Sequence, residues 1–171
     1  MVALVFAGGC DGVAGLSGDD DPSFSTDVAH ETLSADAPET EEIDQGQYGN
    51  IEGGLQRVVR SEAEYADVWT QLHGHKASTP DRPSLDFEEE SLLVIVMEAQ
   101  PTGGYDMSID QTLLSDTGEE AQVQYTERSP GENCSVTQVQ TSPYVLATID
   151  APVDDARFEV SSDVRSCDTS E

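Results

Sequence analysis

Histidines, cysteines and paired carboxylates are the side chains that most often carry chemistry, and their spacing in this chain does not assemble a catalytic centre. His73 and His75 stand at i, i+2 around Gly74. Imidazoles that close can ligate a metal, but the helical HExxH spacing is absent and no cluster of further ligands follows. They read instead as polar residues in the last turn of a helix, where they interact with its dipole. His30 falls in an acidic leader and is assigned no role. No GxSxG elbow, P-loop or dinucleotide fingerprint occurs, and Gly103-Gly104 is not followed by a helical pattern. With Asp+Glu 35, any two carboxylates can be offered as an acid/base pair, so the pairing carries no information without geometry. Asp19-Asp20-Asp21 is contiguous, unlike a calcium loop that spaces its ligands. No catalytic residue, metal or cofactor is therefore expected, and the chain is not expected to be an enzyme.

The residues suited to recognition are better organised. Leu92-Leu93-Val94-Ile95-Val96-Met97 is a short apolar run between Glu88-Glu89-Glu90 and Glu98, which predicts a central strand buried on both faces. The chain then passes Pro101-Thr102-Gly103-Gly104 and resumes as Tyr105-Asp106-Met107-Ser108-Ile109, alternating like a strand with one wet face. Adjacent glycines permit a tight connection or close approach by another chain. A second turn, Thr141-Ser142-Pro143-Tyr144, leads into Val145, Ala147 and Ile149. Tyrosine offers contact area with a polar handle, so Tyr105, Tyr125 and Tyr144 are candidates for an interface or for buried hydroxyls.

These turns need a scaffold. Gln56 to Arg60 reads as a short strand, and Ser61-Glu62-Ala63-Glu64 as a capping box opening a helix. Tyr65, Val68, Trp69 and Leu72 recur at i, i+3, i+4 and i+7, and Gly74 supplies a stop, which predicts one amphipathic helix with Trp69 as a core anchor. Residues 77 to 86 carry Pro80 and Pro83 and read as a loop. Strand signals follow at Val123 and Tyr125, Val136 and Val139, Val145 to Ile149, and Phe158 and Val160, separated by turns at Asp116-Thr117-Gly118, Ser129-Pro130-Gly131, Ser142-Pro143 and Ala151-Pro152. The expected fold is α+β, a mostly antiparallel β-sheet or small sandwich of six to seven strands with one early amphipathic helix.

Length allows one domain and a tail. The expected divisions are a signal or lipobox-like segment at 1–10, an acidic disordered tether at 11–48, the β-rich domain at 49–165 and a tail at 166–171. The tether lacks lysine and arginine and has no sustained apolar period, so it cannot bury enough surface to offset its chain entropy. The formal charge of -28, from 7 basic and 35 acidic residues, repels phosphates, and neither nucleic acid nor an anionic membrane face is expected as a partner. Acidity spread through the whole chain suggests adaptation to high salt, where counter-ions screen self-repulsion.

No apolar run is long enough to span a bilayer. Met1 to Cys10, an apolar block, small residues and a cysteine, resembles a lipobox, which makes Cys10 the candidate lipidation site and membrane anchor, although a charged n-region is absent and Ala7 stands where a leucine-like residue is usual. An ordinary cleaved signal or a cytoplasmic N-terminus are the alternatives. Cys134 and Cys167 remain as a pair. In an exported protein they are expected to form a disulfide, worth about 3 to 4 kcal/mol in the chain-entropy model, and in the cytoplasm they stay thiols.

Taken together, Thr102-Gly103-Gly104-Tyr105 after an apolar strand, Tyr125-Thr126-Glu127, Ser129-Pro130-Gly131 and Thr141-Ser142-Pro143-Tyr144 entering another strand resemble the C-terminal domain of the PrcB family, over roughly Leu92 to Val160. That family takes its name from a subunit of a surface protease complex, and its members are commonly small exported proteins or lipoproteins. The resemblance implies an accessory domain without catalysis of its own, in the cell envelope, binding a protein partner such as a protease through Thr102 to Tyr105 and Thr141 to Tyr144. The two motifs are then expected to be spatial neighbours, because loops on a rigid scaffold often share a recognition surface. Two other readings stand beside it. Pro101 to Tyr105 is loosely similar to the NPTTG loop of chagasin-like protease inhibitors, and an envelope lipoprotein with no protease link has the same sequence features.

Overall fold

The computed structural model describes residues 37–167. It has seven strands and one helix: β1 (Thr40–Gly46), β2 (Leu55–Val59), α1 (Glu62–His73), β3 (Ser91–Val96), β4 (Asp106–Leu114), β5 (Glu120–Pro130), β6 (Tyr144–Ile149) and β7 (Asp155–Arg165). β1, β6, β3 and β2 form a four-stranded sheet in that order, all antiparallel, and β4, β5 and β7 form a three-stranded one.

The four-stranded sheet is the middle of three layers. On β3, Leu93, Ile95 and the following Met97 face the second sheet, where they meet Met107, Ala121, Val123 and Tyr125. Leu92, Val94 and Val96 face the helix and pack with Tyr65, Val68, Trp69 and Leu72. β6 alternates in the same way, with Val145 and Ile149 on one side and Tyr144 and Leu146 on the other. A strand covered on both faces has no reason to alternate in polarity, which is why β3 is a continuous apolar run.

The helix obeys its sequence signals. The Ser61 hydroxyl accepts from the Glu64 amide at 3.3 Å, and the Glu64 carboxylate accepts from the Arg60 amide at 3.3 Å, one residue earlier than the usual reciprocal bond. The Trp69 indole N–H donates to the Pro80 carbonyl at 3.1 Å, tying the proline loop to the core. Gly74 stays right-handed, with φ -62, so the helix ends without a left-handed cap.

Three expectations need correction. The segment read as a tether to residue 48 already contains β1, which pairs with β6 from Thr40↔Ile149 to Gly46↔Tyr144. Strand pairing there is a backbone matter, so exposed Glu41 and Glu42 on an edge do not prevent it. The domain thus begins by Thr40; residues 1–36, with the lipobox-like segment and Cys10, lie outside the described residues. Second, β5 runs through Ser129-Pro130 rather than turning there, and proline is tolerated because its missing N–H faces β4, whose pairing with β5 stops at Asp106↔Arg128. Third, Val136 and Val139 belong to no strand but to the connection between β5 and β6. Hydrogen bonding to the Gly103 N–H and a disulfide hold that connection instead. The pairing is mostly antiparallel, as expected, with one exception: β5 and β7 pair in parallel, from Glu120↔Asp155 to Pro130↔Arg165. The chain leaves β5, crosses to the other sheet as β6 and returns as β7, which therefore arrives in the same direction.

Candidate functional site

The two motif loops lie together where β3 ends and β6 begins. Gln100 and Thr141 exchange backbone bonds, with N–H to O distances of 2.7 and 3.0 Å, and the Thr141 hydroxyl donates to the Thr102 carbonyl at 2.7 Å. The Met97 N–H donates to the Pro143 carbonyl at 2.8 Å, and the Ser142 hydroxyl donates to the Met97 carbonyl at 2.9 Å. On its other side Ser142 engages the chain after β1: its N–H donates to the Gln47 carbonyl at 2.9 Å and its carbonyl accepts from the Gly49 N–H at 2.7 Å. Thr141 to Pro143 therefore stitch three segments into one end of the domain.

The glycines have specific reasons. Gly104 has φ +90, and a Cβ there would lie 2.8 Å from Val136 Cγ1 and 3.1 Å from Pro130 Cβ. Gly103 donates its N–H to the Thr137 carbonyl at 2.9 Å, and a Cβ would fall on the Thr137 hydroxyl. The glycine pair thus lets the loop lie against the β5–β6 connection, which the Cys134–Cys167 disulfide fastens to the end of β7. The expected pairing of those cysteines is observed.

Exposure divides the eight motif residues. Gly104 is exposed, Thr102, Tyr105 and Ser142 are half-buried, and Gly103, Thr141, Pro143 and Tyr144 are buried. Tyr144 belongs to a polar junction inside the helix side of the sheet. Its hydroxyl donates to Asp44 Oδ2 at 3.0 Å, and His73 Nε2 lies 3.1 Å from that hydroxyl and 2.9 Å from the same carboxylate oxygen. His73 Nδ1 is 3.0 Å from the Trp69 carbonyl, which can only accept, so Nδ1 carries a proton. Nε2 thus faces both the Tyr144 hydroxyl and the Asp44 carboxylate, so one junction joins α1, β6 and β1. Burial first, and the Asp44 charge second, push the Tyr144 phenol far above its ordinary value, so it remains a donor. His73 is fully buried, whereas His75 is exposed with its ring 6.2 Å from Tyr48. The two histidines therefore do not act as a pair, and His73 reaches well beyond the helix dipole.

Two grooves open beside the Glu98-Ala99-Gln100 segment; Thr141 and Ser142 help to line the first, and no residue of either motif lines the second. On the helix side, Tyr48, Asn50, Ile51, Glu52, His75, Ala99, Gln140, Thr141 and Ser142 line a groove of about 390 Å³. Tyr48 is nearly half exposed, among the most exposed large apolar residues described. On the other side a groove of about 510 Å³ runs from Gly53-Gly54 and Met97 to Tyr125, Glu127 and Val160. Gln56 Nε2 donates to the Tyr125 hydroxyl at 2.6 Å on its wall. Burial, and then the neighbouring Glu98 charge, hold the Glu127 carboxyl above the usual carboxylate range. Two carboxylates whose charges repel, Glu98 and Glu127, therefore line the second groove.

Sequence reasoning missed Tyr48, Asn50, Glu52 and Gln140, because the first lies at the end of an acidic segment and the others in loops without a periodic signal, and it read His75 only as a polar residue at the helix end. Among the described residues no group of three or more His, Cys, Asp or Glu is placed to hold a metal ion. Residues 91–150 match the family model described as PrcB C-terminal. That stretch runs from the start of β3 past the end of β6 and includes both motif loops. No curated protein and no solved structure matches the chain.

Proposed function

We propose, on the premise that residues 91–150 form a PrcB C-terminal domain, that this protein is a non-catalytic accessory subunit that docks a protein partner of a protease complex. Its docking surface is the end where β3 leaves and β6 enters the middle sheet. The observation that supports this most is the convergence of the Thr102–Tyr105 and Thr141–Tyr144 turns on one hydrogen-bonded platform, beside an open groove that Thr141 and Ser142 help to line. Within it the roles divide by exposure. Gly103, Thr141, Pro143 and Tyr144 set the shape; Thr102, Gly104, Tyr105 and Ser142, with Tyr48, His75 and Gln140 beside them, meet the partner. A rigid platform with an exposed tyrosine beside a groove suits a contact anchor. His73 in its contact with Asp44 is fully buried, and the contact serves architecture.

The disulfide supports an extracytoplasmic setting, because such bonds persist in oxidising compartments. We place the protein in the cell envelope, with Cys10 as the lipidation site that anchors it. Affinity capture from the envelope fraction at native salt tests the reading, comparing the intact protein with a Tyr48→Ala/Gln140→Arg variant of unchanged melting temperature. A protease, or a protein that assembles with one, is expected with the intact form and lost with the variant. Equal recovery by both forms would remove this surface from the account. Stoichiometric suppression of a protease by the purified protein would favour direct inhibition over an accessory role.

A further inference from the structure

We propose that the outer edge of β7 is a self-association surface that pairs antiparallel with β7 of a second copy, about a two-fold axis through Ser162. β7 is an edge strand, 11 residues long, with β5 on one side and no strand on the other among the described residues. Its ladder with β5 carries no bulge, and every residue from Glu159 to Arg165 is exposed. Natural edges are usually blunted by bulges, by charges on the inward face or by short length. β4, in contrast, is bulged between Ile109 and Gln111, and β2 has only 5 residues.

The sequence of this edge is complementary to itself. With Ser162 opposite Ser162, Val160 faces Val164, Ser161 faces Asp163, and Glu159 faces Arg165, each pair occurring twice. Ala156 and Phe158 point toward the core, so by the two-residue period Val160, Ser162 and Val164 share that face, and Glu159 and Arg165 share the other. Every facing pair is therefore on one side of the joined sheet, as cross-strand contact requires. Val160 is 53% and Val164 64% exposed, and they are two of the four large apolar residues described as exposed. The proposed pairing covers both. Arg165 already holds Asp106 and is half exposed, leaving its guanidinium open to a partner's Glu159.

The backbone agrees. The Arg165 carbonyl accepts from the Gly131 N–H at 2.9 Å, and Ser129 Oγ reaches the Asp163 carbonyl, so the odd-numbered residues direct their backbone groups to β5. The N–H and C=O groups of Val160, Ser162 and Val164 point to the open edge, where the Val164 N–H donates to the neighbouring Asp163 carboxylate at 2.8 Å, a local bond that pairing exchanges for the carbonyl of the second copy's Val160. About a dyad at Ser162 these are the residues that form reciprocally hydrogen-bonded pairs. The interface is isologous and closes on itself as a dimer. Two chains of charge -28 repel, so the dimer is expected to strengthen as salt screens them.

Sedimentation equilibrium of the full chain in molar potassium chloride tests this. A concentration-dependent dimer is expected, weakening when the salt is lowered. Ser162→Pro removes only an N–H that points to the open edge, so it should leave the β5–β7 ladder intact and raise the dimer dissociation constant at least about ten-fold. A wild-type chain that stays monomeric, or a Ser162→Pro chain that dimerises equally well, overturns the proposal. Should Ser162→Pro not fold, oxidative cross-linking in a Cys10→Ser background decides. Ser162→Cys places two thiols about 5.5 Å apart by their Cα atoms and should cross-link, whereas Glu159→Cys should not. Cross-linking that is equal for the two, or confined to Glu159→Cys, overturns it.

Discussion

Tyr144 illustrates how a motif residue can serve recognition indirectly. Its ring lies under the platform, and its hydroxyl ties β6 to Asp44 on β1 and His73 on α1. Tyr144→Phe leaves the Asp44–His73 pair short of a donor, and is expected to cost about 1 to 3 kcal/mol in a denaturant melt. In a Tyr144→Phe/His73→Phe double variant the losses should fall short of their sum, because both act on the same junction. Glu127 behaves in the opposite sense. Its folded-state pKa is raised, so the native state holds the proton longer than the unfolded chain, and stability falls as pH rises from the ordinary carboxylate range through the raised value. Glu127→Gln should therefore stabilise the protein at neutral pH, with the gain vanishing at pH below the carboxylate range. Melts of the two forms across pH 3 to 8 check this; a gain that persists in acid would contradict it. None of this was legible in the sequence, since Asp44 and Tyr144 are 100 positions apart and meet only through strand pairing.

Elements were legible where burial left a periodic mark. The helix stripe from Tyr65 to Leu72 and the run from Leu92 to Met97 were readable because each records what covers it: one face for α1, both for β3. β1 left no such mark. Its strand rests largely on backbone bonds to β6, three of its seven residues are acidic, and Ile43 is its only apolar side chain. The stretch at Val136 and Val139 erred the other way, two β-branched residues in a connection without a neighbour to pair with. Two local devices are measurable. Ser61→Ala removes the cap of α1 and is expected to cost about 0.5 to 2 kcal/mol. Reducing Cys134–Cys167, which closes a separation of 33 residues, should cost about 3 to 4 kcal/mol and loosen the connection against which Gly103 and Gly104 pack.

For the whole molecule, the three layers divide the work. The middle sheet is rigid because both faces are covered, and it carries the two motif turns at one end. The order of motifs in sequence suggested that they meet; the hydrogen bond from Thr141 to Thr102 shows that they do. The grooves beside them were not readable, because they are bounded by loops from β1, β2 and α1 that lie outside the matched 91–150. The charge of -28 acts on the molecule as a whole. Self-repulsion opposes compactness and is screened over roughly 10 Å at 0.1 M salt and 3 Å at 1 M, so the melting temperature is expected to rise from low to molar salt. A melting temperature indifferent to salt would remove the case for salt adaptation.

The central claim is that the end bearing both motif turns is the partner surface. Site-specific photo-cross-linking in intact cells at native salt tests it most directly, with the reactive group placed at Ala99 or Gln140 on the grooves, and at Gln111 on the far sheet as reference. Adducts to a common protein partner from Ala99 and Gln140, with none from Gln111, are the predicted result. Adducts from Gln111 alone, or the same yield from all three positions, would contradict it.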